Sequence, residues 1–142
     1  MRYLGLDVGA RRIGVAVGET LAAELTTIIA PKDGNFYEAT ELAIQEIGRL
    51  KELEEADAIV VGLPVDEDGQ PTEESKKISD FSKKLETGLG CAVHFVDETL
   101  TSFMAEELLA AQDLPPPEVA KRVHQAAAQQ ILQQYLEEHA SL

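Results

Sequence analysis

Hydrophobic residues come in several short runs that turn residues separate. Runs of this kind predict strands, here over residues 3–8, 13–18, 25–30, 58–63 and 91–97. The first two flank the turn Gly9-Ala10-Arg11-Arg12, so together they predict an antiparallel hairpin. The run over 58–63 is apolar throughout, which is typical of a parallel strand that is buried on both faces.

Between and after these runs, apolar residues recur at every third or fourth position, which predicts helices. This spacing covers residues 37–54, 72–87, 102–112 and 117–138. The order βββαβαβαα predicts an α/β fold, in which helices flank a mixed five-stranded sheet. The chain has 142 residues and no linker other than the prolines at 115–117, so we expect a single domain over 1–142.

The net charge is −14, from 26 acids and 12 bases, which disfavours a protein that binds phosphates through basic side chains. Most of the bases nevertheless occur in four pairs: Arg11-Arg12, Lys76-Lys77, Lys83-Lys84 and Lys121-Arg122. The two lysine pairs are seven residues apart and therefore share a helix face. A solvated surface explains any single pair, but local basic patches also attract phosphates. The candidate nucleic-acid contacts are Arg11, Arg12, Lys76, Lys83 and Lys121.

The sequence also bears on the compartment. The one cysteine, Cys91, allows no intrachain disulfide, which fits a reducing environment. No apolar run approaches the roughly 18 residues of a membrane-spanning helix. The start of the chain lacks the apolar region and small-residue cleavage site of a signal peptide. We therefore expect a soluble cytoplasmic protein without membrane contact.

Acidic residues stand where two of the predicted strands end. Asp7 lies inside Leu4-Gly5-Leu6-Asp7-Val8-Gly9, and Glu98 closes the strand-like run 91–98. Strand alternation points Asp97 and Glu98 to opposite faces, so only one of them joins a site on a given face. Carboxylates that converge at strand ends form the hard-cation sites that phosphodiester-cleaving enzymes use.

His124, in the last predicted helix, is the candidate third ligand. It lines up with the apolar stripe of that helix, so a packed core histidine is the commoner reading of the position taken alone. As a ligand, imidazole softens the metal preference of a site relative to carboxylate. The sequence contains no nucleophile motif, P-loop, GxGxxG or paired-cysteine site that would indicate other chemistry.

Four stretches in the same order along the chain carry a family resemblance. They are 4–9 with 12–17, 59–64 followed by Asp68-Gly69, 96–102, and 124–136. Together they resemble the YqgF/RuvX family of ribonuclease H-like nucleases. His124 stands where the family usually has Asp, and Thr99 where it usually has Arg. Asp66-Glu67 replaces the family's usual Asn-Met.

The resemblance implies a ribonuclease H-like sheet and a metal-dependent endonuclease. Its implied substrates are the 5′ end of precursor 16S ribosomal RNA or four-way (Holliday) DNA junctions. Asp7 would bridge two divalent ions, Mn²⁺ or Mg²⁺, while Glu98 and His124 would each complete one shell. Arg11 or Arg12 would contact the scissile phosphate. Resolution of a junction needs two coordinated cuts, which implies a two-fold homodimer.

Two other classes of function stay open at this point. A catalytically silent RNA- or ribosome-binding module fits His124 and the acidic composition. A nucleotide-binding protein of the actin and sugar-kinase type also begins with a strand that carries Asp-x-Gly. Those proteins close two lobes on the nucleotide, and 142 residues supply only one lobe.

Overall fold

The computed structural model describes residues 1–98 and 116–140, with the backbone alone over 116–121. The described strands are β1 (Tyr3–Val8), β2 (Arg12–Gly18), β3 (Ala22–Ile29), β4 (Ala58–Pro64) and β5 (Val93–Glu98). The described helices are α1 (Thr40–Leu53), α2 (Glu73–Leu89) and α3 (Pro116–Glu138). The helix predicted over 102–112 and the side chain of Lys121 lie outside the described residues.

The five strands form one sheet in the order β3-β2-β1-β4-β5. Strand β2 is antiparallel to both β1 and β3, whereas β4 is parallel to both β1 and β5. The predicted mixed five-stranded sheet is therefore confirmed. Because β1, β4 and β5 run in the same direction, their carboxyl ends meet at one edge of the sheet.

Several predicted boundaries differ from the structure by one or two residues, and two others were wrong by three. Strand β3 begins at Ala22 rather than at 25, because its pairing with β2 extends back to the partners Gly18 and Ala22. Helix α1 begins at Thr40 rather than at 37, because the Asn35 side chain accepts a 2.8 Å hydrogen bond from the Tyr37 backbone N–H. This local turn competes with the helix for that N–H group.

Alternating strand residues divide the molecule into two layers. One face of the sheet packs against α1 and α2 through a core that includes Leu4, Leu6 and Phe81. The other face packs against α3 through a core that includes Val60 and Ile131. Every strand residue discussed below therefore belongs either to the α1–α2 face or to the α3 face.

Helix α3 approaches the sheet closely because glycines lie beneath it. A Cβ atom on Gly14 would stand 1.9 Å from the His124 carbonyl oxygen, and one on Gly5 would stand 2.6 Å from the Leu132 Cβ atom. Glycine within an apolar strand often marks such a backbone approach. The packing fixes the height of α3 above β1 and β2, and with it the position of His124.

Helix α2 begins at a reciprocal cap. The Thr72 hydroxyl accepts a 3.1 Å hydrogen bond from the Ser75 backbone N–H, and the Ser75 hydroxyl accepts one of 3.1 Å from the Thr72 N–H. The helix ends before Gly90, whose φ of 62° is left-handed and suits glycine. Within the described ranges, no helix combines the length and apolarity needed to cross a membrane.

Candidate functional site

Asp7 is a buried acid near the carboxyl end of β1. Its side chain lies on the α3 face, and the residue is 8% exposed. Its partner in β2 is Gly14, which has no side chain to compete for the same space. A carboxylate this buried needs a partner that compensates for its lost hydration.

That partner is His124. The Nδ1 atom of His124 lies 3.2 Å from Oδ2 of Asp7, so helix α3 and strand β1 meet through these two side chains. The Asp7 side chain is 11% exposed and the His124 side chain 30% exposed, so the imidazole forms the solvent-facing part of the pair. With Nδ1 engaged by a carboxylate, Nε2 is the imidazole nitrogen left to contact a ligand.

Glu98 lies on the same face, two strands away. It is the last residue of β5 and is the partner of Pro64 in β4. Its Oε2 atom would stand 3.1 Å from a Cβ atom on Gly62, so this carboxylate lies over β4. Gly62 directly follows Val61, the partner of Leu6 in β1, and so occupies the position beside Asp7. The Ile131 side chain of α3 fills the space above Gly62 beside Glu98, with its Cδ1 atom 2.6 Å from the same Cβ position.

The donor chemistry of these residues fits a divalent cation, although the ligands are not gathered tightly. Two carboxylates and one imidazole share one face and one edge of the sheet. Over the ranges 1–98 and 122–140, no group of three or more His, Cys, Asp or Glu side chains is close enough to hold a metal ion. Asp7 and His124 are thus brought together, whereas Glu98 stands apart from them. Its role as a ligand stays a prediction.

The neighbouring residues Arg11 and Arg12 differ sharply. The Nη1 group of Arg11 donates to the carbonyl oxygens of Pro31 and Gly34, so this guanidinium braces the loop before α1. Arg12 has the strand parity of Gly14 and therefore belongs to the α3 face. Its Nε atom is buried and has no hydrogen-bond partner among the described residues.

The predicted lysine contacts fall in a different layer. Lys76 and Lys83 are exposed residues of α2, which packs on the sheet face opposite to α3. Lys76 stands in the first turns of α2, which begins at the same sheet edge as Asp7. Lys83 is about 10 Å farther along the helix, at 1.5 Å per residue. Neither lysine adjoins the Asp7–His124 pair, and their contact with nucleic acid stays a prediction.

Tyr37 is a site neighbour that the sequence did not reveal. Its hydroxyl donates a 2.5 Å hydrogen bond to Glu74, and the Lys77 Nζ atom lies 5.9 Å from the centre of its ring. Burial raises the pKa of Tyr37 far above its usual value, and the hydrogen bond and charge of Glu74 and the charge of Asp7 add to the increase. No local pattern marks a tyrosine that meets its partner 37 residues away. Gly62 did leave a signal, because it interrupts an apolar strand.

Comparison with protein families gives one match over almost the whole chain. The RuvX family model, described as Holliday junction resolvase, matches residues 1–138. A protein of Chloroflexus aurantiacus named "Putative pre-16S rRNA nuclease" is 38% identical over 141 residues, which is 97% of this chain and 88% of that protein. A protein of Syntrophus aciditrophicus with the same name is 39% identical over 140 residues, which is 96% of this chain and 89% of that protein.

Solved structures share the fold at low sequence identity. RuvC of T. thermophilus, solved in complex with a Holliday junction substrate, superposes with a TM-score of 0.62 at 14% identity and covers 97% of this chain and 95% of its own. The Fowlpox virus resolvase, solved with Holliday junction DNA, gives a TM-score of 0.56 at 11% identity. The match covers 99% of this chain and 100% of the resolvase chain. These likenesses confirm the predicted ribonuclease H-like fold.

Proposed function

The chain belongs to the RuvX family, and from this premise we propose that it is a divalent-metal-dependent endonuclease that hydrolyses phosphodiester bonds in structured nucleic acid. The observation that carries the proposal is the buried Asp7 carboxylate in contact with His124, at the edge of the sheet where Glu98 also ends a strand. The family match and the identity to relatives named as nucleases support the reaction class.

The proposed roles follow from the positions of the three side chains. Asp7, Glu98 and His124 would hold the cation, His124 through Nε2 because Asp7 engages Nδ1. Bound divalent ions would supply the activation of water and the stabilisation of the leaving oxygen. Asp7 holds the imidazole in one orientation. Imidazole is a poorer Mg²⁺ ligand than carboxylate, so we expect Mn²⁺ to support activity better than Mg²⁺.

Two substrates are compatible with the comparisons. The relatives of C. aurantiacus and S. aciditrophicus are named for pre-16S ribosomal RNA, and the family description names Holliday junctions. Cleavage of a junction would require a two-fold homodimer, because two strands must be cut in a coordinated way. We place the reaction in the cytoplasm, which fits a free Cys91.

The experiment compares a labelled four-way DNA junction with a precursor 16S RNA fragment. Each is incubated with Mn²⁺, Mg²⁺ or chelator, and with wild type, Asp7→Asn or the matched control Asp97→Asn. Asp97 suits the comparison because it is an exposed acid of β5 next to Glu98 in sequence. Cutting that needs both the metal and Asp7, but not Asp97, supports the proposal and identifies the substrate. Binding without cutting by a folded protein would instead indicate a catalytically silent module.

A further inference from the structure

Arg12 lies at the same edge of the sheet as the Asp7–His124 pair. It is the first residue of β2, two positions before Gly14, and Gly14 is the partner of Asp7. Strand geometry puts the Cα atoms of Asp7 and Arg12 about 8 Å apart, with both side chains on the α3 face. An arginine side chain is long enough to cross this gap, so the guanidinium belongs to the surroundings of the site.

The guanidinium of Arg12 forms no hydrogen bond or ion pair within the described part of the chain, so its terminal nitrogens remain for a ligand. Its Nε atom is buried and finds no acceptor in the described part of the chain. A buried donor without a partner is costly, and a charged donor more so. The adjacent Arg11 shows the contrast, because its guanidinium donates to two loop carbonyl oxygens.

Among the side chains that the structure describes, one other buried group lacks a hydrogen-bond partner, Oε1 of Glu24 in β3. Glu24 is the partner of Ala16, which lies four positions along β2 from Arg12 and therefore about 13 Å away at 3.3 Å per residue. The other carboxylate oxygen of Glu24 already binds Arg122 on α3, at 3.2 Å. Glu24 is therefore too far along the strand to accept a hydrogen bond from Arg12, and it is already paired with α3.

We propose that Arg12 is the phosphate-binding residue of the site, donating from its terminal nitrogens Nη1 and Nη2 to a phosphodiester of the substrate beside the scissile bond. This inference rests on the proposed function and deepens it. The two terminal nitrogens of a guanidinium present parallel donors that match two phosphate oxygens. Arg11 is assigned to the loop and not to the substrate. One partly buried arginine at the site also lets a chain with a net charge of −14 bind a polyanion locally.

The test measures binding in the absence of cleavage. Affinity for a four-way DNA junction and for the precursor RNA fragment is measured in chelator across a salt series, for wild type, Arg12→Met, Arg12→Lys, Arg11→Met and Arg49→Met. Arg49→Met is the charge-matched control, since Arg49 is an exposed residue of α1 paired only with Glu46 among the described residues. Thermal unfolding of each variant is recorded in parallel.

Arg12→Met should weaken binding about tenfold or more and lower the slope of log K against log salt by about 0.7–0.9, the value for one phosphate contact. Its unfolding temperature should stay the same or rise, because the variant no longer buries an unsatisfied donor. Arg12→Lys should recover the slope but only part of the affinity, because lysine keeps the charge and loses the paired donors. Arg11→Met should lower the unfolding temperature and leave the slope in place.

Several outcomes would overturn the assignment. If Arg12→Met unfolds at a lower temperature and keeps the wild-type slope, Arg12 is a structural residue. If Arg49→Met lowers the slope equally, the effect is one of net charge alone. Absence of wild-type binding to either nucleic acid would overturn both this inference and the proposed function. Arg12-dependent binding without cleavage in any metal would refute the endonuclease and leave the phosphate site standing.

Discussion

Replacing Gly14 by alanine tests whether the height of α3 above the sheet controls the site. The new Cβ atom would stand 1.9 Å from the His124 carbonyl oxygen and 2.2 Å from its carbonyl carbon. Both are backbone atoms, so no side chain can rotate away. The helix must therefore retreat by roughly 1 Å, the scale of shift that overpacking forces on a core.

We expect a large loss of cleavage activity because the His124–Asp7 contact tolerates only a small displacement of α3. The His124–Asp7 contact of 3.2 Å is only about 0.3 Å short of the distance at which a hydrogen bond is lost. Overpacking costs about 1–3 kcal/mol, which lowers the unfolding temperature of a chain this size by about 3–10 °C. Misplacement of a catalytic group by about 1 Å can reduce the rate about 100-fold.

Thermal unfolding and metal-dependent cleavage are measured for Gly14→Ala beside Gly88→Ala. Gly88 lies in α2 in the opposite layer, where a Cβ atom would meet the Ile44 side chain at 3.1 Å. Alanine favours helix by about 1 kcal/mol over glycine, so Gly88→Ala should be neutral or mildly stabilising. Gly14→Ala with an unchanged unfolding temperature and a rate within about twofold of wild type would refute the reasoning.

Three further predictions concern other parts of the molecule. His124→Asp should lower the unfolding temperature in chelator, since two acids then face each other, and Mg²⁺ should restore it and support cleavage at least as well as in wild type; loss of folding even with Mg²⁺ would indicate a packed core histidine. Thr72→Ala should cost about 1 kcal/mol in urea unfolding without changing cleavage, because it removes a cap acceptor, and an unchanged midpoint would contradict the cap. Because the folded pKa of Tyr37 lies above its unfolded value, its contribution is complete below about pH 10 and declines as the pH rises further. Tyr37→Phe should therefore reduce the alkaline fall in unfolding temperature, and an identical fall in both proteins would show that Tyr37 does not cause it.

The sheet and its acidic edge could be predicted because their signals are local. The hairpin around Gly9 and the apolar run over 58–63 fix two strands by themselves. Alternation alone separates Asp97 from Glu98, and the structure does place Glu98 over Gly62 on the face of Asp7. Successive side chains of a strand point to opposite faces, so the position of one residue along the strand is enough to predict its face.

The remaining features depend on partners that are distant in sequence. The paired signal Arg11-Arg12 gave no means of distinguishing the two residues, because only the fold shows that Pro31 and Gly34 accept from one of them. The stripe position of His124 suggested a core residue, whereas its ring lies at the rim against Asp7, 117 positions earlier. The predicted start of α1 was also wrong. The Asn35 side chain accepts a hydrogen bond from the Tyr37 backbone N–H, and the spacing of apolar residues gives no sign of this turn.

The order of the elements also sets when the site can exist during synthesis of the protein. Strand β1 delivers Asp7 among the first residues, but the helix that carries His124 is the last described element to leave the ribosome. Until then the α3 face of the sheet, with Ala16 and Val60, lacks the packing of α3, and the Asp7 carboxylate lacks the His124 imidazole beside it. Contacts this distant in sequence form late, since the closure of a long loop precedes any gain from them. A nascent chain therefore carries only part of the proposed site, which is complete once α3 has packed on the sheet.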